Sequence, residues 1–373
     1  MKKTFKIGLL SILLGAFAFT SCEGEGTVDD VFNPDDVIID EDAGEDEFGN
    51  PIDTDGNSIA EIRLTEGGAA DDKISTIIEG EAGGTVTGLV VFTSTTKQRR
   101  LYVTETLPGE SAMPLVIPEL SNRGTKADDS IDLDGDIQES IEFPFTLNVP
   151  NSIEDGSIIY NFWSTTGKGD FRDPTKRLLL GVASIEVRVG TGVNPDTPVR
   201  TYGNVTLQLD APLQDGSSNT FMSIYDGQIY QLNQGEELAA FWDFGYYWIQ
   251  SVGGPSLAST TNYFSLFLLD DGTFGGVADK TGISQSELND FYIGTTTMDF
   301  DSVTLSSDLD ALSTPLTQVV NGLEAGDVLA FEDQYGTKGL IRIVSISGTD
   351  GSTGNITFDV KAQAYAAFDS SDF

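Results

Sequence analysis

The densest run of chemically capable side chains is "FWDFGYYWIQ", residues 241–250. As a β-strand it would put Trp242, Phe244, Tyr246 and Trp248 on one face and Phe241, Asp243, Tyr247 and Ile249 on the other. Exposed, such a ladder stacks sugar rings, because a pyranose C–H face packs well on a π-surface. Buried, the same residues are ordinary core, where aromatics also dominate. Tyr247 and Trp248 are the best candidates for exposure, since they run into "QSVGGPS". A second group is basic. Lys97, Arg99 and Arg100 lie in "TKQRRLYVTE", and Lys168 and Arg172 lie in "TGKGDFRDPTKR". Brought together on adjacent strands or loops they would make an anion site for sulfated, uronic or phosphate-bearing polymers, with Arg supplying bidentate contacts. Paired with Asp170, Asp173 and Glu105 they would instead form an ion network. A third group, "DDSIDLDGDIQES", carries Asp132, Asp134 and Asp136. Its carboxylates suit Ca2+, yet the order departs from a calcium loop and a solvated acidic turn has the same composition.

The absences narrow the chemistry. The chain has no histidine and one cysteine. Ser-His-Asp and Cys-His catalysis, His-ligated zinc, an intrachain disulfide and a thiolate metal centre are all excluded. A carboxylate-pair hydrolase needs only two acids, but no spacing singles out a pair among 59. No cofactor is implied, Ca2+ apart. A net charge of −39 argues against nucleic acid, which requires clustered Lys and Arg to neutralise phosphate. It suits a solvated surface protein.

The elements that must position these residues follow from the patterning. Residues 1–21 begin with Lys2, Lys3 and Lys6 and continue into an apolar run too short for a bilayer span, which is an export signal. "FTSC" then resembles the bacterial lipobox, which implies that Cys22 is acylated and becomes the first mature residue; two or three acyl chains anchor a protein firmly. Residues 22–73 hold eighteen acidic residues against Arg63 and Lys73 and read as a disordered, self-repelling tether. Residues 74–190 show short strand-forming runs punctuated by turns. In "IEFPFTLNV", Ile141, Phe143, Phe145, Leu147 and Val149 share one face. The expected fold class is mainly β, with an Ig-like or fibronectin-like sandwich here. A linker follows at 191–200, then a second β-rich domain at 201–367 with short helices expected in "ISQSELNDFY" (Ser284 and Glu287 spaced as a capping box) and "SDLDALSTPLTQVV", and an acidic tail at 368–373.

The mature chain resembles flavobacterial outer-membrane lipoproteins of the Bacteroidota. The resemblance rests on the acidic residues behind Cys22, on "GNVTLQLDAPLQDGSSNTFMSIYDGQIYQL", on "FWDFGYY", and on "GDVLAFEDQYGTKGLIRIVSI" followed by "GNITFDVK". It is looser, on architecture only, to the surface glycan-binding lipoproteins of polysaccharide-utilisation systems. Asp129-Ser130-Ile131 and Asp301-Ser302-Val303 also resemble the short sequons that Bacteroidota glycosylate after export. These resemblances imply an outer-membrane protein held by N-terminal acyl chains and exposed at the cell surface, the periplasmic face being the alternative. They imply non-catalytic binding of an extracellular polysaccharide or an envelope protein. A structural or adhesion role and a carboxylate-dependent hydrolase are the other readings.

Overall fold

The computed structural model describes residues 60–64, 75–174, 179–348, 351, 353–365 and 368, with 60–64, 95, 134–140 and 204–206 described by backbone alone. All of them fall in one compact unit, Asp42–Phe373. The fold is mainly β, as the strand-and-turn composition requires. Among the described residues no helix is long and apolar enough to cross a membrane.

Strands β1 (Ala60–Leu64), β2 (Ser75–Gly80), β3 (Thr85–Thr106), β4 (Met113–Pro114), β5 (Ile131–Asn148), β6 (Gly156–Thr165) and β7 (Leu179–Val189) form one seven-stranded sheet. Its organiser is β3, 22 residues long. The first part of β3 pairs with β5, from Thr85↔Asn148 to Ser94↔Glu139, and the last part pairs with β6, from Arg100↔Thr165 to Thr106↔Ile159. Register shifts between Ser94 and Arg100 separate the two. Inward residues are even-numbered before the shift (Val90, Phe92) and odd-numbered after it (Leu101, Val103), yet all four join one core with Phe143, Phe145, Ile158, Phe162, Ile185 and Val187. The change of parity falls where the pairing with β5 breaks register, so both parts of β3 face the same core. Ile141 to Val149 alternate inward as their pattern requires. Pro144 lies on a strand that, among the described residues, pairs with β3 alone, which is where a proline is tolerated in a sheet.

The second half contains β8 (Arg200–Asp210), β9 (Phe221–Met222), β10 (Ile229–Tyr230), β11 (Phe244–Ile249), β12 (Gly254–Ser259), β13 (Phe267–Leu268), β14 (Phe274–Gly275), β15 (Phe291–Thr295), β16 (Val319–Asn321), β17 (Val328–Asp333), β18 (Lys338–Ser347) and β19 (Asn355–Ala362). They make two five-stranded sheets, β10-β9-β11-β12-β16 and β15-β17-β18-β19-β8, and the hairpin β13–β14. Phe244, Phe291 and Phe331 stack in series, with centroids 4.9 Å apart at each step, and tie the two larger sheets together. Gly339, on β18, is required by this packing: a Cβ there would lie 2.2 Å from the Phe331 ring and 2.4 Å from the Lys361 carbonyl.

The helical expectations need correction. α1 (Val277–Thr281) is the one α-helix among the described residues, and it lies outside both expected segments. Gln285–Glu287 and Ser306–Leu309 are single 3-10 turns. Ser284 makes no cap; its hydroxyl meets Ser286 Oγ, and Glu287 reaches Lys168 instead. Burial of Leu288 and Phe291 draws the chain into β15 before a helix can propagate.

The two halves share a core. Tyr102, Trp163, Phe171 and Val182 of the first cluster with Leu209, Phe244, Phe331, Phe358 and others of the second. The linker is bonded to both sides: Thr197 Oγ1 donates to the Gly109 carbonyl at 2.6 Å, and Ser306 N–H donates to the Thr197 carbonyl at 2.8 Å.

Candidate functional site

The aromatic run is built differently from a uniform strand. A 3-10 turn, Glu236–Phe241, precedes it, and β11 begins only at Phe244. Trp242 therefore does not share a face with Phe244 and Tyr246. It packs with Phe221, centroids 5.9 Å apart, in the core that also holds Tyr247 and Tyr263. Phe244 and Tyr246 enter the other core, the one shared with the first half. Trp242 and Tyr246 are 0% exposed and Tyr247 is 2% exposed. The sugar platform expected along 242–248 is therefore closed on both sides.

Its end remains open. Trp248 is half-buried and, with Tyr247 and Ile249, lines a cleft of about 590 Å3 completed by Leu213, Gln214, Asp215 and Leu266. The size is that of a small-ligand site. The loop 212–215 is held in place through Gln214, whose Nε2 donates to the Leu266 carbonyl at 2.9 Å while its Oε1 accepts from Leu268 N–H at 2.7 Å. Asp215 accepts from Ser217 Oγ at 2.7 Å and from Ser217 N–H at 3.1 Å. These bonds favour the carboxylate and hold Asp215 below its ordinary range. The site thus offers a fixed anionic acceptor beside an apolar wall. Trp248 Nε1 is buried and has no hydrogen-bond partner.

Three of the four basic candidates are committed internally, which corrects the anion-site expectation. Arg100 gives a bidentate pair to Glu237, at 2.9 and 2.8 Å, and lies 3.7 Å from Asp128; the bond to Arg100 holds Glu237 below the usual carboxylate range. Lys168 meets Glu236 at 3.0 Å and Glu287 at 3.4 Å. Arg172, its side chain 1% exposed, is enclosed by Asp170 at 3.3 Å and Asp243 at 2.8 Å. Burial opposes its charge, but those two carboxylates outweigh burial and hold the guanidinium well above its ordinary range. Each of these cations leaves the first half and ends on an acid of the second. Arg99 is exposed.

Asp132 pairs with Lys126 at 2.5 Å, and the side chains of Asp134 and Asp136 lie outside the described residues. Among the described residues no group of three acidic or thiol side chains is placed to hold a metal. Cys22 also lies outside them. Of the two sequon matches, Ser130 is 1% exposed with its hydroxyl on Asp128, whereas Ser302 is exposed.

Leu213, Gln214, Asp215 and Leu266 were not foreseen as site residues. They reach Trp248 from loops more than fifteen residues away on either side, and the one local hint was the turn-rich "APLQDGSS". No family model matches the chain and no curated protein matches it. Among solved structures, a DUF4466 family protein from Parabacteroides merdae is similar over 82% of this chain and 98% of its own, at 12% identity and a TM-score of 0.32. A Niemann-Pick type C2 protein from Japanese carpenter ant is similar over 36% of this chain and 96% of its own, at 13% identity and a TM-score of 0.22. Scores this low carry no inference about shared activity.

Proposed function

We propose that the chain is a lipid-anchored cell-envelope protein, held by acylated Cys22 and displayed at the outer-membrane surface, that binds an extracellular glycan without turning it over. The observation that supports this reading is the cleft at Trp248: an apolar indole and leucine wall beside the ionised acceptor Asp215. A sugar ring offers the complement, an apolar C–H face and a rim of hydroxyls. Affinity electrophoresis of the mature chain in gels containing a panel of polysaccharides tests it. At least one polysaccharide retards the protein, and Trp248→Ala weakens that retardation roughly tenfold, the value of a lost stacking and packing contact. Absence of retardation across the panel, or retardation unchanged in Trp248→Ala, sinks the reading. Mass spectrometry of the mature N-terminus tests the anchor separately, since an unmodified Cys22 or a cleavage elsewhere removes it.

An envelope protein as the partner is favoured by one further feature. Phe264, Leu268 and Phe274, 36%, 51% and 63% exposed, continue the apolar surface from Leu266 onto the β13–β14 hairpin. Co-purification of a stoichiometric partner, lost on Phe274→Ser, would select that reading over the glycan.

A further inference from the structure

Three strand ends converge on one side-chain carboxamide, that of Gln318. β12 ends at Ser259, with Thr261 and Asn262 just beyond it; Gln318 immediately precedes β16, and Asp290 immediately precedes β15. β12 and β16 are paired, and Ser259 N–H donates to the Gln318 main-chain carbonyl at 2.9 Å, so the sheet itself sets these side chains against one another. Gln318 Oε1 lies 3.0 Å from Ser259 Oγ and 2.9 Å from Thr261 Oγ1, and it also accepts from Asn262 Nδ2. The two hydroxyls are 2.6 Å apart. Thr261 Oγ1 is 2.7 Å from Asp290 Oδ1, and that same carboxylate oxygen accepts from Gln318 Nε2 at 3.2 Å. Asp290 thereby fixes the orientation of the amide, because its oxygen accepts an N–H and repels a carbonyl. Ser259 is buried, and Thr261, Asp290 and Gln318 are half-buried. None of them lines the Trp248 cleft.

The protons do not cover these contacts. Ser259 to Thr261, each hydroxyl to Gln318 Oε1, and Thr261 to Asp290 are all oxygen–oxygen approaches of 3.0 Å or less. Only the two hydroxyls bring a proton, since an amide oxygen and a carboxylate accept. The Thr261 proton belongs to Asp290, the charged acceptor. Thr261 Oγ1 then rests on the Gln318 carboxamide with no proton between the two oxygens. Between intact side chains that contact is repulsive; it is the placement of a nucleophile beside its acyl carbon. Cδ is one carbonyl bond from Oε1, so it lies within about 4 Å of Thr261 Oγ1, and a small rotation of the amide closes the approach. The other parts of an acyl transfer surround it. Asp290 touches both the hydroxyl that must lose a proton and the nitrogen that must gain one. Asn262 Nδ2 and Ser259 Oγ are the donors for the oxygen on which charge develops.

We propose that Thr261 and Gln318 join in an intramolecular ester. The Thr261 Oγ1–Gln318 Cδ bond forms and the Cδ–Nε2 bond breaks. The Thr261 proton passes through Asp290 to the departing nitrogen, which leaves as ammonia, and no oxidant, metal or second molecule is consumed. The product ties the chain after β12 to the start of β16, a covalent link that a chain with one cysteine cannot make as an intrachain disulfide. It stands whether or not the Trp248 cleft takes a sugar. Mass spectrometry of the purified chain, denatured and digested with trypsin, tests it. In this region trypsin cuts after Arg200, Lys280 and Lys338, so residues 201–280 carry Thr261 and residues 281–338 carry Gln318. The two peptides travel as one species, lighter than their sum by one ammonia, and hydroxylamine, which cleaves esters, separates them. Thr261→Val releases both peptides at full mass, whereas Thr261→Ser, which keeps the hydroxyl, keeps the link. Should Thr261→Val fold poorly, Asp290→Asn, which keeps the shape and removes the base, supplies the same comparison. Separate peptides of full mass in the wild type, loss of ammonia without linkage, or a link that survives Thr261→Val or Asp290→Asn overturns the proposal.

Discussion

Arg172→Met is the most informative perturbation of the fold. The side chains of Arg172, Asp170 and Asp243 are each 1% exposed. The guanidinium bonds both carboxylates and the Ala240 carbonyl, and lies 4.6 Å over the Tyr335 ring. Methionine keeps much of the stem and deletes the charge. Asp243 would retain Ile224 N–H at 2.7 Å and Asn289 Nδ2 at 2.7 Å, and Asp170 would retain Tyr335 Oη at 2.7 Å. Asp243 would lose the ion pair at 2.8 Å that opposes its burial. Breaking a buried pair from one side costs about 3–5 kcal/mol, because the remaining charge stays desolvated. The pH dependence identifies the cause. Desolvation already holds Asp243 above its ordinary range, with Arg172 opposing it. Without Arg172 the native pKa rises further, so the native state takes up a proton at a pH where the unfolded chain does not. Protonation removes the buried charge, and the deficit is therefore largest near pH 7.5 and shrinks towards pH 5. Urea denaturation followed by the fluorescence of the buried Trp163 and Trp242 measures this at both pH values. A loss below about 1 kcal/mol at pH 7.5, or one equal at the two pH values, would refute the assignment of Arg172 as an electrostatic tie between the halves.

Two further outcomes follow from the same core. Asp333 is buried beside Asp243 and its carboxyl is pushed up to about 6, by desolvation first and the neighbouring charge second. A native pKa above the ordinary 3.8 means that stability is present below that range and falls as pH rises from about 4 through about 6, by on the order of 2 kcal/mol for this group. Asp333→Asn, which keeps an acceptor for Tyr335 and Thr337 N–H and leaves Tyr365 Oη to reorient, flattens the urea midpoint across that window; a slope equal to the wild type would discount Asp333. Gly339→Ala drives a methyl into Phe331 and the Lys361 carbonyl, and lowers stability by about 2–3 kcal/mol by the same denaturation curves, whereas a neutral result would mean that β17 and β18 shift apart freely.

How much of this was legible depended on the range of the interaction. Period-two patterning is local, so the alternation of Ile141 to Val149 and the mainly β class could be read directly. Parity transfers along a strand only while the strand is unbroken. The 3-10 turn before Phe244 moved Trp242 to the other core, and the register shifts between Ser94 and Arg100 changed the inward parity of β3 from Val90 and Phe92 to Leu101 and Val103. Helical spacing around Ser284 failed for a related reason, since a capping pattern has no force when the next residues are bound for a sheet. The basic cluster failed on stoichiometry. In a chain with 20 cations and 59 acids, clustered Lys and Arg look like a site for anions, but they are also the scarce partner for carboxylates that the fold must bury or crowd. Arg100, Lys168 and Arg172 are taken up by Glu237, Glu236, Glu287 and Asp243, acids more than sixty residues away, at distances no local spacing reports. In so acidic a protein, cations gathered on one side of an interface are most simply explained by acids on the other.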